Sequence, residues 1–216
     1  MEVNMRLWTT QPVVRLAQLE EHGVIHGSWE HLESLLLDTE DEFFWMRQYR
    51  WLAGEMEKRL PTFSGNPPIW ARPEKIDLRS ERTWGEPLSW KVCIEFEAPE
   101  GTYLFSDYSA WHNVLNLAFN SENEAEYDAF HARVKHREKK LAKERGCKRR
   151  DVHREVWEEF REEIESSWER IFEEPEGDPD WIGGGPVEWQ VTVDGLHKEW
   201  VKDIRLFKVA PQNRWR

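Results

Sequence analysis

The chain has only two cysteines in 216 residues, Cys93 and Cys147, far apart and neither in a C-x-x-C pair. That excludes a disulfide framework and a zinc ribbon, and reduced thiols point to a cytoplasmic setting. No run of about 18 apolar residues occurs, so no membrane-spanning helix is expected, and the opening Met1 to Arg6 has no apolar stretch of signal length. Excess positive charge is missing as well. Against 42 Asp and Glu stand 30 Lys and Arg, a net charge of −12, which argues against a global polyanion binder because nucleic-acid affinity rests on Lys and Arg neutralising phosphates. The eight histidines form no H-E-x-x-H; His22 and His26 have helical spacing, but Gly23 breaks the helix that would align them, so no metal site is expected. G-x-x-x-x-G-K-[ST], G-x-G-x-x-G after a strand and G-x-S-x-G are all lacking, which removes P-loop, Rossmann and hydrolase chemistry; Gly183 to Gly185 reads as a linker.

What the chain does have is tryptophan, 14 of them, within an aromatic content of 13% that no disordered chain carries. Trp8, Trp70 and Trp111 lie in polar, turn-rich strings where a plain core would not put them. Indole offers a broad apolar face and one N–H donor, so it suits the wall of a cleft as well as a core. The expectation is that these three line one cleft.

Patterning predicts a single α+β domain over residues 1–216, with a small mixed or antiparallel sheet core. Met5 to Gln11 reads as a strand stopped by Pro12, and Val13 to Glu20 as a helix stopped by Gly23. Thr39 to Glu42 has capping-box form and opens a helix on which Trp45, Tyr49, Leu52, Met56 and Leu60 share a core-facing stripe, closed by Pro61. Ile69 to Arg72, Trp90 to Glu97, Thr102 to Phe105, Val187 to Val193 and Ile204 to Val209 read as strands, with Val187 to Val193 ended by Asp194-Gly195. Ser106 or Asp107 can cap a helix whose Trp111, Leu115 and Phe119 share a face.

An inserted charged helical hairpin is expected at about 121–174. A capping box at Ser121 to Glu124 opens its first helix, which runs to Gly146; Asp151 caps the second, before the break at Pro175 to Pro179. Basic residues from Arg133 to Arg150 face acidic residues from Glu155 to Glu174, which reads as self-complementary solvated faces, with a partner docking on the basic tip left open.

Candidate ligand-binding residues gather near the tryptophans: Trp8, Thr9, Gln11, Trp70, Arg72, Arg79, Ser106, Asp107, Trp111, His112, Asn116 and Gln190, with Glu188 beside them. Each has a bland alternative as a cap or a surface group. Arg72 and Arg79 suit an anionic ligand, since guanidinium grips phosphate or carboxylate through two parallel hydrogen bonds. Glu95 and Glu97 read as the wet face of a strand whose other side carries Val92, Ile94 and Phe96.

Trp8-Thr9-Thr10-Gln11-Pro12, Pro68-Ile69-Trp70-Ala71 with Asp77-Leu78-Arg79, and Leu104 to Tyr108 through Trp111 to Asn116 together resemble the bacterial family of domain of unknown function 3841. That resemblance implies no particular activity. A second one concerns architecture: Thr9 to Ile25 is similar to the start of ADP-ribosyltransferase-like domains such as the DarT toxins and the RNA 2′-phosphotransferases, and Val187 to Val191 leading to Val201 to Leu206 looks like their last strands. It implies NAD or another nucleotide as ligand and Glu188 as the catalytic carboxylate that holds the nicotinamide ribose. Those domains open with a His or Arg that grips NAD, where this chain has Trp8 or Thr9. The competing reading is a non-catalytic interaction protein whose hairpin docks a protein or nucleic-acid partner.

Overall fold

The computed structural model of the chain describes residues 4–36, 44–81, 86–174 and 187–211. Contacts group the chain into two units, Met1–Phe105 with Trp189–Arg216, and Ser106–Glu188.

The first unit carries the strands: β1 (Met5–Pro12), β2 (Val24–His26), β3 (Ile69–Ala71), β4 (Trp90–Ala98), β5 (Tyr103–Asp107, whose last two residues belong to the second unit), β6 (Trp189–Val193), β7 (Gly195–His197) and β8 (Val201–Lys208). They form small sheets ordered β1-β4-β8, β2-β7 and β3-β6-β5, with every registered pair antiparallel. Period-two alternation builds the core. Val92, Ile94 and Phe96 of β4 are buried and join Leu7, Ile25, Ile69, Val191, Val193 and Leu196 in one cluster, each such side chain contributing about 1.5–3 kcal/mol of burial. On the other face Glu97 takes Arg6 at 3.1 Å and Lys202 at 3.0 Å, as expected of a wet side. Cys93 on that face is nonetheless buried, under Ile76, Phe207, Trp8 and Leu78.

Helices α1 (Arg15–His22), α2 (Trp29–Leu36), α3 (Phe44–Arg59) and the one-turn α4 (Leu78–Glu81) complete the unit. Gly23 ends α1 in the left-handed region (φ 73°), its N–H on the Leu19 carbonyl at 3.1 Å, as the sequence predicts. The stripe on α3 needs correcting at its start: Trp45 is 44% exposed, because it sits in the first turn, before the packed stretch that begins at Gln48 and includes Leu52 and Met56. The expected capping box at Thr39 to Glu42 and the linker at Gly183 to Gly185 lie outside the described residues. Asp194-Gly195 does not end the strand run. The chain bends there and goes straight on as β7, with Asp194 holding the Ser64 N–H (2.9 Å) and hydroxyl (2.7 Å). Next to it, a Cβ at Gly195 would lie 2.9 Å from the His26 ring, so any larger residue would displace that ring.

The second unit is helical: α5 (Tyr108–Leu115), α6 (Glu124–Arg145), α7 (Arg149–Glu159), α8 (Arg161–Ser167) and a 3-10 turn at Trp168–Phe172. Asp107 caps α5, its carboxylate taking the N–H groups of Ser109 and Ala110. The helix stops at Leu115, and Leu117 takes φ 53°, so Phe119 reaches the core from the following segment rather than from the helix face. Asn123, not Ser121, caps α6: Glu126 reaches back to the Glu122 N–H and is forked by Arg170, which moves the start inward. Asp151 sits three residues inside α7 and reaches back to the Lys148 N–H at 3.0 Å. The expected second arm is broken at Phe160, whose ring packs edge-on against Phe130 at 5.7 Å.

α6 and α7–α8 run antiparallel, joined at Gly146 (φ 63°). Arg133 pairs with Glu163, Arg137 with Glu159 and Arg145 with Glu155, a ladder in which rising numbers on one arm meet falling numbers on the other. Each exposed rung is worth about 0–1 kcal/mol. The arms hold together on Phe130, Val134, Val152, Val156, Ile164 and Trp168, with Phe119 stacked on Phe130 at 4.3 Å and the Trp168 indole donating to the Ala118 carbonyl at 2.8 Å. Glu138 is buried in this layer. Burial alone would raise its carboxyl, but hydrogen bonds from His153 (2.6 Å) and Arg149 (2.6 Å) outweigh that and hold it below the usual carboxylate range.

Candidate functional site

In the first unit Thr9, Gln11 and Arg72 gather about β3. Trp8 and Arg72 exchange backbone hydrogen bonds at 3.0 and 2.8 Å, which staples the Pro68 to Pro73 segment onto β1. Alternation turns Thr9 inward, 2% exposed, and its hydroxyl donates to the Trp70 carbonyl at 2.7 Å while accepting from the Gln11 amide at 2.9 Å. On the other side of β3, Trp70 stands opposite Thr192 of β6. The Trp70 indole meets the Tyr49 ring of α3 edge-on at 6.5 Å; burial pushes the Tyr49 hydroxyl up, offset in part by a hydrogen bond with Trp70.

β6 carries the unusual feature. Val191 and Val193 belong to the apolar cluster, so Gln190 and Thr192 occupy the opposite face of the strand, and this face is buried too, at 8% and 1% exposure. The Thr192 hydroxyl and the Gln190 Nε2 have no hydrogen-bond partner among the described residues. Leaving such a group unsatisfied costs about 1–3 kcal/mol, and groups of this kind are met by ordered water or by a ligand where the protein offers no partner.

Trp8 does not share that location. Its side chain lies on the opposite face of β1 from Thr9 and Gln11, its indole N–H on the Glu95 carboxylate at 3.2 Å. There it lines a shallow groove with Lys75, Ile76, Cys93, Glu95 and Arg205, about 230 Å³ including the space open to solvent. That is below the volume of sites that engulf a nucleotide-sized ligand. Packing over Cys93 and the Glu95 hydrogen bond account for Trp8. Arg79 is exposed and forked onto Asp77 through Nε (3.0 Å) and Nη2 (2.9 Å), hydrogen bonds that hold the Asp77 carboxyl below its usual range. Its guanidinium is therefore engaged by its own neighbour. Arg72 is exposed.

The remaining candidates belong to the second unit. Asp107 is the α5 cap described above. Trp111 is 4% exposed, a core residue. His112 is exposed with its Nδ1 2.8 Å from the Tyr108 carbonyl, and Asn116 donates to the His112 carbonyl at 2.8 Å, both arrangements local to the helix. The Ser106 hydroxyl is buried without a partner among the described residues. Glu188 is exposed, and its carbonyl accepts from the Tyr108 N–H at 2.9 Å. Among the described residues no group of three or more His, Cys, Asp or Glu side chains is arranged to hold a metal.

The strings that build the β1–β3 seam, Trp8 to Pro12 and Pro68 to Ala71, fall inside a family match covering residues 6–202. The chain belongs to the DUF3841 family, a domain of unknown function. No curated protein and no solved structure matches it. No described helix is long and apolar enough to cross a membrane. In this DUF3841 chain the residues that sequence reasoning passed over are Thr192, read as an ordinary strand residue, and Tyr49, read as part of a packing stripe. The sequence held no clear signal for the first, since Gln190 and Thr192 alternate with valines as the wet face of a strand would.

Proposed function

We propose that the sheet unit binds a small, polar, nucleotide-type ligand beside β3 and β6. The observation that carries this is the pair of buried, unpartnered groups Thr192 Oγ1 and Gln190 Nε2 on one face of β6. An amide N–H donor next to a hydroxyl that can both give and accept matches a carboxamide, a base edge or a ribose diol. Trp70 and Tyr49, edge-on to one another, supply an aromatic surface of the kind that packs on a heterocycle. Thr9 and Gln11 position β3 through the Trp70 carbonyl.

The likeness to ADP-ribosyltransferase-like domains makes NAD the first ligand to test, and the same likeness proposes Glu188, in the second unit, as a catalytic carboxylate whose role is tested separately. In support, Glu188 is exposed, its backbone is held by Tyr108, and no ion pair of its carboxylate occurs among the described residues. Both cysteines remain thiols, in keeping with a reducing compartment.

Isothermal titration of the full chain with NAD, nicotinamide and adenosine tests the binding. The wild type should bind at least one of them, and T192V and Q190L should each weaken it about tenfold, the loss of one hydrogen bond to a desolvated group. Absence of binding to all three, or binding indifferent to both substitutions, removes the proposal. NAD turnover measured for wild type and E188Q tests the catalytic part separately, since binding that survives in E188Q while turnover disappears is expected only of a transferase or hydrolase.

A further inference from the structure

The hairpin tip divides its cations into two sorts. Ten of the chain's 30 Lys and Arg fall between residues 135 and 154, with only three acidic residues among them, in a chain whose net charge is −12. Arg137, Arg145 and Arg149 are forked by Glu159, Glu155 and Glu138 and belong to the hairpin's own ladder. Lys139, Lys140, Lys143 and Lys148 are different. All four are exposed, and none forms an ion pair among the described residues. At 3.6 residues per turn, Lys139, Lys140 and Lys143 fall on the side of α6 away from the buried Val134, Leu141 and Ala142, with exposed His136 extending the same stripe; Lys148 follows Gly146 at the turn. Self-complementary pairing, which accounts for Arg137, Arg145 and Arg149, does not account for these lysines.

Like charges crowded on one stripe repel one another, and at the turn Lys148, Arg149 and Arg150 also stand at the N-terminal end of α7, where a helix favours negative charge. An anionic partner relieves both penalties. Two classes of polyanion could do so, an acidic protein or a nucleic acid, and the composition of the tip favours the second. No large apolar side chain is exposed between residues 135 and 154, whereas a protein interface needs buried apolar or aromatic anchors at its centre. Phosphate contacts need only cations. Lys139 to Lys143 spans about 6 Å along the helix axis, close to two phosphate steps of about 3.4 Å on one strand.

We infer that the tip of the α6–α7 hairpin is a docking surface for the phosphate backbone of nucleic acid, reading charge and spacing rather than base sequence. Lys139, Lys140, Lys143 and Lys148 make the contacts, and the arginine ladder keeps the arms stiff behind them. This surface is independent of the small-ligand reading of the sheet unit.

The test is fluorescence anisotropy of a labelled short DNA duplex and of an unrelated duplex of equal length, titrated with the full chain across about 50–200 mM salt. Both duplexes should bind alike, and four neutralised phosphates predict a log–log salt slope of about −3 to −4, roughly a hundredfold loss over that range. The K139Q/K140Q/K143Q/K148Q variant should bind at least tenfold more weakly at low salt with a slope near zero, while its circular-dichroism melt matches wild type because none of these side chains is packed. Absence of salt-dependent binding by the wild type, or unchanged binding by the folded variant, overturns the inference. So does polyglutamate binding the tip as tightly as a duplex of equal charge, which would assign the surface to an acidic protein.

Discussion

The β6 strand of the sheet unit and the charged surface of the helical hairpin handle polar groups in opposite ways. Across the hairpin's arms charge meets charge on the surface, Arg133 on Glu163, Arg137 on Glu159 and Arg145 on Glu155, and the one buried carboxylate, Glu138, is gripped by two partners. In the sheet unit the polar groups at β6 are neutral, buried and unanswered. The difference teaches what kind of partner each region can take. A face of neutral donors out of reach of water selects by hydrogen bonding and is nearly blind to salt, whereas a stripe of exposed lysines acts through charge and is screened within about 10 Å at 0.1 M salt. On the two proposals above, the sheet unit would bind at short range and the hairpin tip at long range, and the two should be separable by ionic strength alone.

The comparison can be broken first through the hairpin's core. Trp168 is fully buried with its N–H on the Ala118 carbonyl, so Trp168→Ala should cost about 3–5 kcal/mol in urea unfolding. If instead Arg137→Gln, which removes a surface rung, costs as much, the arms rest on ion pairs and the account of the hairpin is wrong. Glu138→Gln comes next. It keeps the shape but loses the charge on the bonds to Arg149 and His153, for a loss of about 1–2 kcal/mol near neutral pH, both partners being half-exposed. Because the native carboxyl is held below its usual range, its contribution is complete above the unfolded value of about 4.3 and disappears as pH falls through the lower native value. Wild type and Glu138→Gln should therefore converge in stability on acidification, and a constant gap between them would deny the coupling. Asp107→Ala, which strips the α5 cap, should cost about 1 kcal/mol. A thermal melt resolves that against the wild type.

Much of the frame was legible in the sequence. Gly23 and Gly146 both stop their helices in the left-handed region, the alternation of Trp90 to Glu97 gives β4, and the opposed charge blocks give the ladder of the hairpin. The family match confirms the likeness carried by the Trp8 to Pro12 and Pro68 to Ala71 strings. What was not legible depended on partners distant in the chain. The α6 cap moved from Ser121 to Asn123 because Arg170, more than forty residues on, holds Glu126 in place. Trp45 has the right helical phase for the core but lies before the stretch of α3 that has anything to pack against. Asp194-Gly195 has the composition of a turn, yet Ser64 fixes it as a bend between two strands. The orphaned face of β6 was the hardest to see, since V-T-V reads as a strand whichever side is wet, and only the burial of both sides makes its hydroxyl conspicuous.

Thr192→Val tests the central claim most directly, because the substitution keeps the side chain's shape and removes only the unanswered hydroxyl. If the hydroxyl is kept for a ligand, the unliganded variant should be more stable than wild type by up to about 1–3 kcal/mol, while calorimetric binding of the nucleotide-type ligand weakens about tenfold. A variant less stable than wild type, showing that the hydroxyl is already satisfied within the fold, or one that binds the ligand as wild type does, would contradict the account.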